Sequence, residues 1–124
     1  MNGLMAKYWP GPLNIVFAID ASSPIAPQCL TNETVAIRRS SHLVANALVD
    51  ALAVPLVSTS ANISTEPDLF NASDIFNRFG DELYQPDFII DGGVLPTCLP
   101  STLITVNEVG DVVVLRQGSV TIAQ

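Results

Sequence analysis

The chain has 124 residues, a length typical of one small domain. Apolar residues make up 48% of it, which excludes the low-hydrophobicity composition of disordered segments. The 12 acidic and 5 basic side chains give a formal charge of -7, which excludes a basic stripe for nucleic acid, because such binding relies on Lys and Arg that neutralise phosphates.

The first elements in chain order are predicted to be a turn and two strands. Residues 9–12 (WPGP) form a stiff turn, because two prolines fix φ on either side of a glycine. Residues 14–19 (NIVFAI) and 34–38 (TVAIR) are rich in residue types that favour strands, and a loop with two prolines separates them.

The middle of the chain is predicted to form a helix, a short strand and a polar loop. Apolar residues recur at helical spacing over 42–52, with Ser40 or Ser41 as the N-cap. Residues 56–58 (LVS) are predicted to form a strand that runs into the polar loop 59–68.

The last part of the chain completes a pattern of mixed helices and strands. Its elements are a helix capped by Asn71 or Ser73 that ends at Gly80, a strand over 88–90, and a hairpin of strands 103–106 and 112–115 about Gly110. The strands are apolar enough for burial on both faces. We therefore predict the α/β class, with a mixed, twisted sheet and helices packed on it.

The cysteines, the histidine and the apolar runs limit the chemistry and the location. Cys29 and Cys98 lie far apart and outside any CxxC spacing, so two reduced thiols are the simpler interpretation and one disulfide is the alternative. With His42 as the only histidine, no metal site is predicted. A signal-peptide pattern and an apolar run of about 20 residues are both absent, so we expect a cytoplasmic protein without a membrane partner.

Four polar segments are candidates for a binding site. Ser58 ends a predicted strand, and Ser60 and Asn62 follow it, at the end of a sheet where α/β proteins bind ligands. Thr34 and Arg38 are four residues apart on one strand, so both face the same way, and the guanidinium can grip a carboxylate. The third and fourth segments are residues 91–93 (DGG) with Ser101 and Thr102, and residues 115–118 (LRQG) with Arg116.

Each segment also has a purely structural interpretation. The polar loop can be a turn in which Ser, Thr and Asn side chains bond their own backbone. Arg38 and Arg116 can be solvated arginines at strand ends, and residues 91–93 can be a plain glycine turn. The sequence has no Ser/His/Asp or Cys/His arrangement and no glycine-rich phosphate loop, so the catalytic residues stay unknown.

Taken in order, these segments resemble the YrdC-like family of L-threonylcarbamoyladenylate synthases. The matching segments are 7–13 (KYWPGPL, family (F/Y)WPGPLT), 34–42 (TVAIRRSSH, family TVAVRxPxH), 59–64 (TSANIS, family TSANxSG), 91–93 with 101–102 (family DGG and ST), and 115–118 (LRQG, family LRPG). Because the match covers essentially the whole chain, residues 1–124 are identified as a partial YrdC-like domain with the YrdC-like mixed sheet.

The resemblance implies an ATP-dependent nucleotidyltransferase. Threonine, bicarbonate and ATP, with Mg²⁺ expected on the ATP, yield L-threonylcarbamoyladenylate and pyrophosphate. The product serves the t6A modification at position 37 of tRNAs, so tRNA-modification proteins are the expected partners. By motif position, the resemblance assigns ATP binding to Thr34, Ser60, Asn62 and Arg116, and threonine binding to Arg38, Ser58 and Ser101.

The chain departs from the family pattern at several places, including residues 39–41 (RSS), which lack the usual proline. Family members carry a TDTVYGLG-like strand and a Lys-x-Arg pair upstream of WPGP, so we expect an N-terminally truncated domain with weak or no catalysis of its own. Thr65 stands where the signature has glycine, which costs about 1 kcal/mol or more if that position needs positive φ. Pro100 and Gln117 replace the family's Glu and Pro.

Two alternatives to an active synthase stay open. One is a non-catalytic module that binds RNA or a protein partner, although the acidic charge argues against RNA. The other is a gene fragment with a longer, functional parent. In either case an incomplete sheet would expose unpaired strand edges, which favours self-association.

Overall fold

The computed structural model describes residues 1–20 and 22–122, which divide into two compact units. The first unit comprises Met1–Val57 and the segment that begins at Leu99, and the second comprises Ser58–Cys98. The first unit holds the sheet and two α-helices, and the described part of the second holds one α-helix within irregular segments. The prediction of one domain over the whole chain stays a prediction.

The first unit is built on a mixed sheet, as predicted, and this sheet has four strands. Its strands are β1 (Leu13–Ala18), β2 (Thr34–Ile37), β3 (Thr102–Val106) and β4 (Val112–Arg116). The spatial order is β2-β1-β3-β4, in which β1 and β3 are parallel and the other two pairs are antiparallel. The β3–β4 hairpin turns at Gly110, whose φ of +95° suits a residue without a Cβ. The predicted α/β class is confirmed.

One face of the sheet carries the small apolar core. Leu13, Ile15 and Ile104 are fully buried there, because side chains two apart on a strand point to the same face. Helix α1 (Asn2–Tyr8) and the residue after it supply the cover, through Leu4, Met5, Tyr8 and Trp9. The indole Nε1 of Trp9 donates a hydrogen bond to the Leu13 carbonyl oxygen, which fixes the turn between α1 and β1.

The opposite face of the sheet, here called the second face, carries the chemistry-bearing side chains of the first unit. The register pairs Ala18 with Thr34 and, beyond a register shift between Leu103 and Ile104, Leu103 with Arg116, and paired residues share a face. Arg38 continues the alternation of Thr34 and Ala36 just beyond β2. The sequence prediction that Thr34 and Arg38 point the same way therefore agrees with the register.

Two more helices agree with the sequence except at one cap. Helix α2 spans Leu43–Leu52 and α3 spans Ala72–Phe79. Asn71 caps α3 as predicted, because its side chain accepts a hydrogen bond from the Asp74 amide. The prediction of Ser40 or Ser41 as the α2 cap is wrong: His42 is the N-cap, and Ser40 Oγ accepts a hydrogen bond from the His42 amide, which closes a local turn before the helix.

Two predicted strands do not form, and one helix was not predicted. Residues 56–58 and 88–90 have no strand pairing in the described part of the chain, and Val57 and Phe88 are strongly exposed. A run of two or three apolar residues forms a strand only where another strand supplies the hydrogen-bonding partners. Helix α1 lacked a sequence signal because its seven residues are too few to be stable alone and depend on packing.

Two further findings bear on the sequence predictions. Cys29 and Cys98 are both free thiols, and Cys98 is exposed. Among the residues that the structure describes, no helix has the length and apolar character needed to cross a membrane.

Candidate functional site

The centre of the candidate site is Ser101, which two arginines contact. Arg38, which follows β2, donates from Nη1 to the Ser101 hydroxyl oxygen at 2.5 Å. Arg116, which ends β4, donates from Nη2 and Nε to the Ser101 carbonyl oxygen at 3.0 and 3.3 Å. Ser101 itself is buried just ahead of β3. The sheet thus brings together three predicted site residues, with Ser101 lying 63 positions after Arg38 and 15 before Arg116, and we call them the arginine cluster.

The arginine cluster has positive charge without a protein counter-ion. Among the described residues, both ion pairs belong to Arg78, so neither Arg38 nor Arg116 contacts a carboxylate. This is notable in a chain where acidic side chains outnumber basic ones by 12 to 5. The Ser101 hydroxyl accepts from Arg38, so its own proton stays available for donation. Two guanidiniums and a hydroxyl donor suit a carboxylate or a phosphate.

Thr102 and Gly118 hold Ser101 in place, and the sequence interpretation assigned neither of them a role. The fully buried Thr102 hydroxyl donates to the Val120 carbonyl at 2.6 Å and accepts from the Gly118 and Val120 amides, both at 3.0 Å. A Cβ at Gly118 would overlap the backbone of Pro100, Ser101 and Thr102. The threonine next to Ser101 and the glycine two residues after Arg116 were the available sequence signals.

Thr34 lies on the second face, but its hydroxyl is already engaged. Thr34 Oγ1 donates to the Thr31 carbonyl oxygen at 2.6 Å, inside a tight turn whose central residues Asn32 and Glu33 have positive φ. The hydroxyl oxygen keeps lone pairs that can accept a hydrogen bond. The structure therefore gives Thr34 a turn-forming role beside any ligand contact.

The second unit holds Ser60 and Asn62 in one closed loop. Ser60 Oγ donates to Asn62 Oδ1 at 2.5 Å, and Asn62 Nδ2 donates to the carbonyls of Ile63 and Glu66 at 3.1 and 2.7 Å. These contacts match the structural interpretation, in which polar side chains bond their own loop. Ser58, Ser60 and Thr65 are exposed, so the Ser58 hydroxyl and the Ser60 oxygen remain accessible in this unit.

The DGG segment of the second unit is a turn, and the described residues offer no metal site. Asp91 Oδ1 accepts a hydrogen bond from the Gly93 amide at 2.8 Å, and Gly93 has φ of +77°. The structure thus supports the turn interpretation of residues 91–93. No cluster of His, Cys, Asp and Glu side chains within the described ranges could hold a metal ion.

Comparison with protein-family models places most of the chain in one family. The model named Sua5_yciO_yrdC, described as telomere recombination, matches residues 1–118. The match thus extends from the segment before the sheet to Gly118, which packs on Pro100.

Three curated relatives carry the same name, threonylcarbamoyl-AMP synthase. The chain is 34% identical to the threonylcarbamoyl-AMP synthase of Schizosaccharomyces pombe over 98% of its own length and 29% of the relative. It is 33% identical to the synthases of Pyrococcus abyssi and Bacillus subtilis, over 85% and 95% of the chain and 30% and 33% of those relatives. The chain therefore spans about a third of the length of the curated relatives that it matches.

Solved structures agree with the sequence comparison. Sua5 of P. abyssi complexed with L-threonine superposes with a TM-score of 0.74 at 33% identity, over 94% of this chain and 33% of that one. YciO of E. coli superposes with a TM-score of 0.75 at 28% identity, over 94% of this chain and 55% of that one.

Proposed function

The chain belongs to the Sua5/YciO/YrdC family, and from that membership we propose that it forms part of the substrate site of a threonylcarbamoyl-AMP synthase. In the reaction that the family resemblance implies, threonine, bicarbonate and ATP give threonylcarbamoyl-AMP, pyrophosphate and water. ATP enters as the substrate, with Mg²⁺ carried on its phosphates. The names of the curated relatives support this assignment.

The observation that carries the proposal is the convergence of Arg38 and Arg116 on Ser101 without a carboxylate. Arg38 uses Nη1 on Ser101, so its other N–H groups can donate to the carboxylate of threonine. The Ser101 proton can donate to the same carboxylate. The relative from P. abyssi, whose structure contains L-threonine, supports a threonine site of this kind. The family resemblance also assigns threonine binding to Ser58, which is an exposed residue of the second unit.

The nucleotide is assigned to neutral groups and one arginine. Thr34, Ser60 and Asn62 would offer oxygen lone pairs to ribose hydroxyls or to the adenine amino group, since their donors are engaged within the protein. Arg116 would face the phosphates. Binding of this kind lowers the barrier by positioning the reactants and by neutralising charge, so it needs no covalent nucleophile. The product would pass to tRNA-modifying proteins, and no direct contact with nucleic acid is proposed for a chain of charge -7.

The test is threonine binding by the purified chain and by a matched pair of arginine variants. Arg38→Met should weaken threonine binding about 10- to 100-fold in calorimetry, because a charge-assisted hydrogen bond contributes about 1.5–3 kcal/mol. Arg39→Met is the control, since its exposed side chain falls on the opposite side of the alternation, and it should bind threonine within about twofold of wild type.

Two outcomes oppose the proposal. If the Arg38 and Arg39 variants bind threonine with equal affinity, Arg38 is not a threonine ligand. If the wild-type chain binds neither threonine nor MgATP at millimolar concentration, the proposed function is contradicted. In a pyrophosphate-release assay we expect slow turnover, because Arg78 is ion-paired and few cations are left to balance a triphosphate.

A further inference from the structure

Arg116 makes a contact that its assignment to ATP does not explain. Its Nη2 and Nε atoms both donate to one backbone oxygen, the carbonyl of Ser101, at 3.0 and 3.3 Å. A planar guanidinium fixes the direction of such a paired contact, whereas a lysine ammonium would act as a point charge. The contact therefore constrains a backbone group as well as placing a charge.

The peptide between Ser101 and Thr102 is held at both of its polar ends. Arg116 donates to the carbonyl oxygen of Ser101, and the amide N–H of Thr102 donates to the Pro12 carbonyl at 3.0 Å. The preceding peptide is also fixed, because the Ser119 amide donates to the Pro100 carbonyl at 3.0 Å. With the backbone pinned on both sides, the position of Ser101 Oγ depends on its χ1 rotamer alone.

We propose that Arg116 is a positioning residue that acts through Ser101 on Arg38. The hydrogen bonds from Arg116 to the Ser101 carbonyl place the Ser101 hydroxyl oxygen within hydrogen-bond distance of Arg38 Nη1. The contact between Ser101 and Arg38 then orients the Arg38 guanidinium before threonine binds. The inference rests on the proposed function in that Arg38 is taken to bind the threonine carboxylate. It goes further by giving Arg116 a task on the threonine side, in addition to the phosphates.

A comparison of Arg116→Lys with Arg116→Met separates positioning from charge. If Arg116 acts only through its charge on ATP, lysine should preserve most of the ATP affinity and leave threonine binding untouched. If Arg116 positions Ser101, both the Lys and the Met variant should bind threonine about tenfold more weakly than wild type. ATP affinity of the Lys variant should then stay within about threefold of wild type.

A measurement without any ligand tests the positioning directly. In NMR spectra of the whole chain, the Ser101 carbonyl ¹³C and the Arg38 guanidinium ¹⁵N resonances should shift or broaden in both Arg116 variants. The backbone amide signals of α1 should not move, which shows that the chain still folds. Unchanged Ser101 and Arg38 resonances in Arg116→Met would overturn the inference, whether or not the chain binds threonine.

A double-mutant cycle gives the second criterion. Ser101→Ala removes the hydroxyl but keeps the carbonyl that Arg116 binds. If Arg116 acts through that hydroxyl, Arg116→Met should disturb the Arg38 resonances in the wild-type background and add no further change in the Ser101→Ala background. Additive changes would mean that Arg116 reaches Arg38 by another route, and would contradict the proposal. If the wild-type chain does not bind threonine but the cycle shows non-additive changes, the proposed function is contradicted and the positioning role of Arg116 is not.

Discussion

Thr65 combines an unfavourable backbone conformation with a position in the candidate nucleotide loop. Its φ is +75°, in the left-handed region where a Cβ, and above all a β-branched side chain, is disfavoured. Asn62 holds the loop closed around it through hydrogen bonds to the carbonyls of Ile63 and Glu66. The family signature has glycine at this position, and the structure gives the physical reason for that choice.

Thr65→Gly is expected to stabilise the protein. Relief of the left-handed conformation gains about 1–2 kcal/mol, and the greater freedom of glycine in the unfolded chain takes back about 0.4–1 kcal/mol. The net rise in the free energy of unfolding, measured by urea denaturation, should be about 0.5–1 kcal/mol. The control is Ser64→Gly, at a neighbouring exposed residue without positive φ, which should lower stability slightly. A Thr65 variant no more stable than the Ser64 variant would contradict the interpretation.

Sequence patterns identified the arginine cluster in part. The motif match singled out Arg38, Ser101 and Arg116, but only the sheet register shows that they meet at one residue. The candidate segments included Thr102 and Gly118, but their supporting role was not predicted, because a buried hydroxyl with three hydrogen bonds looks in sequence like any strand threonine. Contacts between residues distant in sequence depend on topology, which local patterns do not encode.

At the scale of elements, local signals predicted those segments whose stability is local. The α3 helix has its own cap in Asn71 and was predicted closely, and the β3–β4 hairpin has its own turn at Gly110. Segments 56–58 and 88–90 were predicted as strands on apolar content alone, and they fail because strand formation needs a partner. Helix α1 was missed for the converse reason, since tertiary packing stabilises it.

An ion-pair network joins the polar loop to α3. Arg78 contacts Glu66 through Nε and Nη2 at 2.7 and 2.8 Å, and its Nη1 contacts Glu82. The hydrogen bond from Arg78 lowers the pKa of Glu66 below its ordinary value of 4.5, with a smaller Coulombic attraction in the same direction and a partial opposing effect of burial. The same contacts raise the pKa of Arg78, and the hydrogen bond to Glu66 has the largest effect. The network thus depends on the charged form of Glu66.

This network should make stability depend on pH in the acidic range. Because the pKa of Glu66 is lower in the folded chain, its stabilising contribution is present above pH 4.5 and is lost as the pH falls through the folded pKa. In urea denaturation the difference between wild type and Glu66→Gln should be largest near pH 6 and should shrink below pH 4.5. Asp20, whose pKa the Ser22 amide lowers, contributes equally to both proteins.

The matched control for that experiment is Asp68→Asn. Asp68 is an exposed carboxylate of the same loop and contacts no cation among the described residues. Its substitution should leave the difference from wild type nearly constant with pH. A difference between wild type and Glu66→Gln that is independent of pH, or that grows on acidification, would contradict the assigned role of the network.

At the scale of the whole molecule, apolar surface exceeds what the described core buries. None of the α2 residues is buried, and Leu43 is 84% exposed. Asp50 is the one charged residue of this helix, so α2 is apolar nearly all round, a pattern typical of a helix with neighbours on more than one side. Both sheet edges are unpaired in the described structure as well, which adds to the tendency of such a chain to associate.

We therefore expect the chain to self-associate, with a salt dependence that reveals the cause. The charge of -7 opposes contact between copies, and added salt screens that repulsion. The mean mass measured by light scattering should thus rise with protein concentration and rise further between about 0.05 and 0.5 M salt, whereas association driven by charge pairing would weaken.

Leu43→Glu should lower the mass, since it charges the start of α2 where the helix dipole tolerates an acid. Val109→Glu adds the same charge at the β3–β4 turn, where Val109 is 81% exposed, and should leave the mass near that of wild type. A wild-type chain that stays monomeric at every concentration and salt level, or equal effects of the two substitutions, would rule out association through α2.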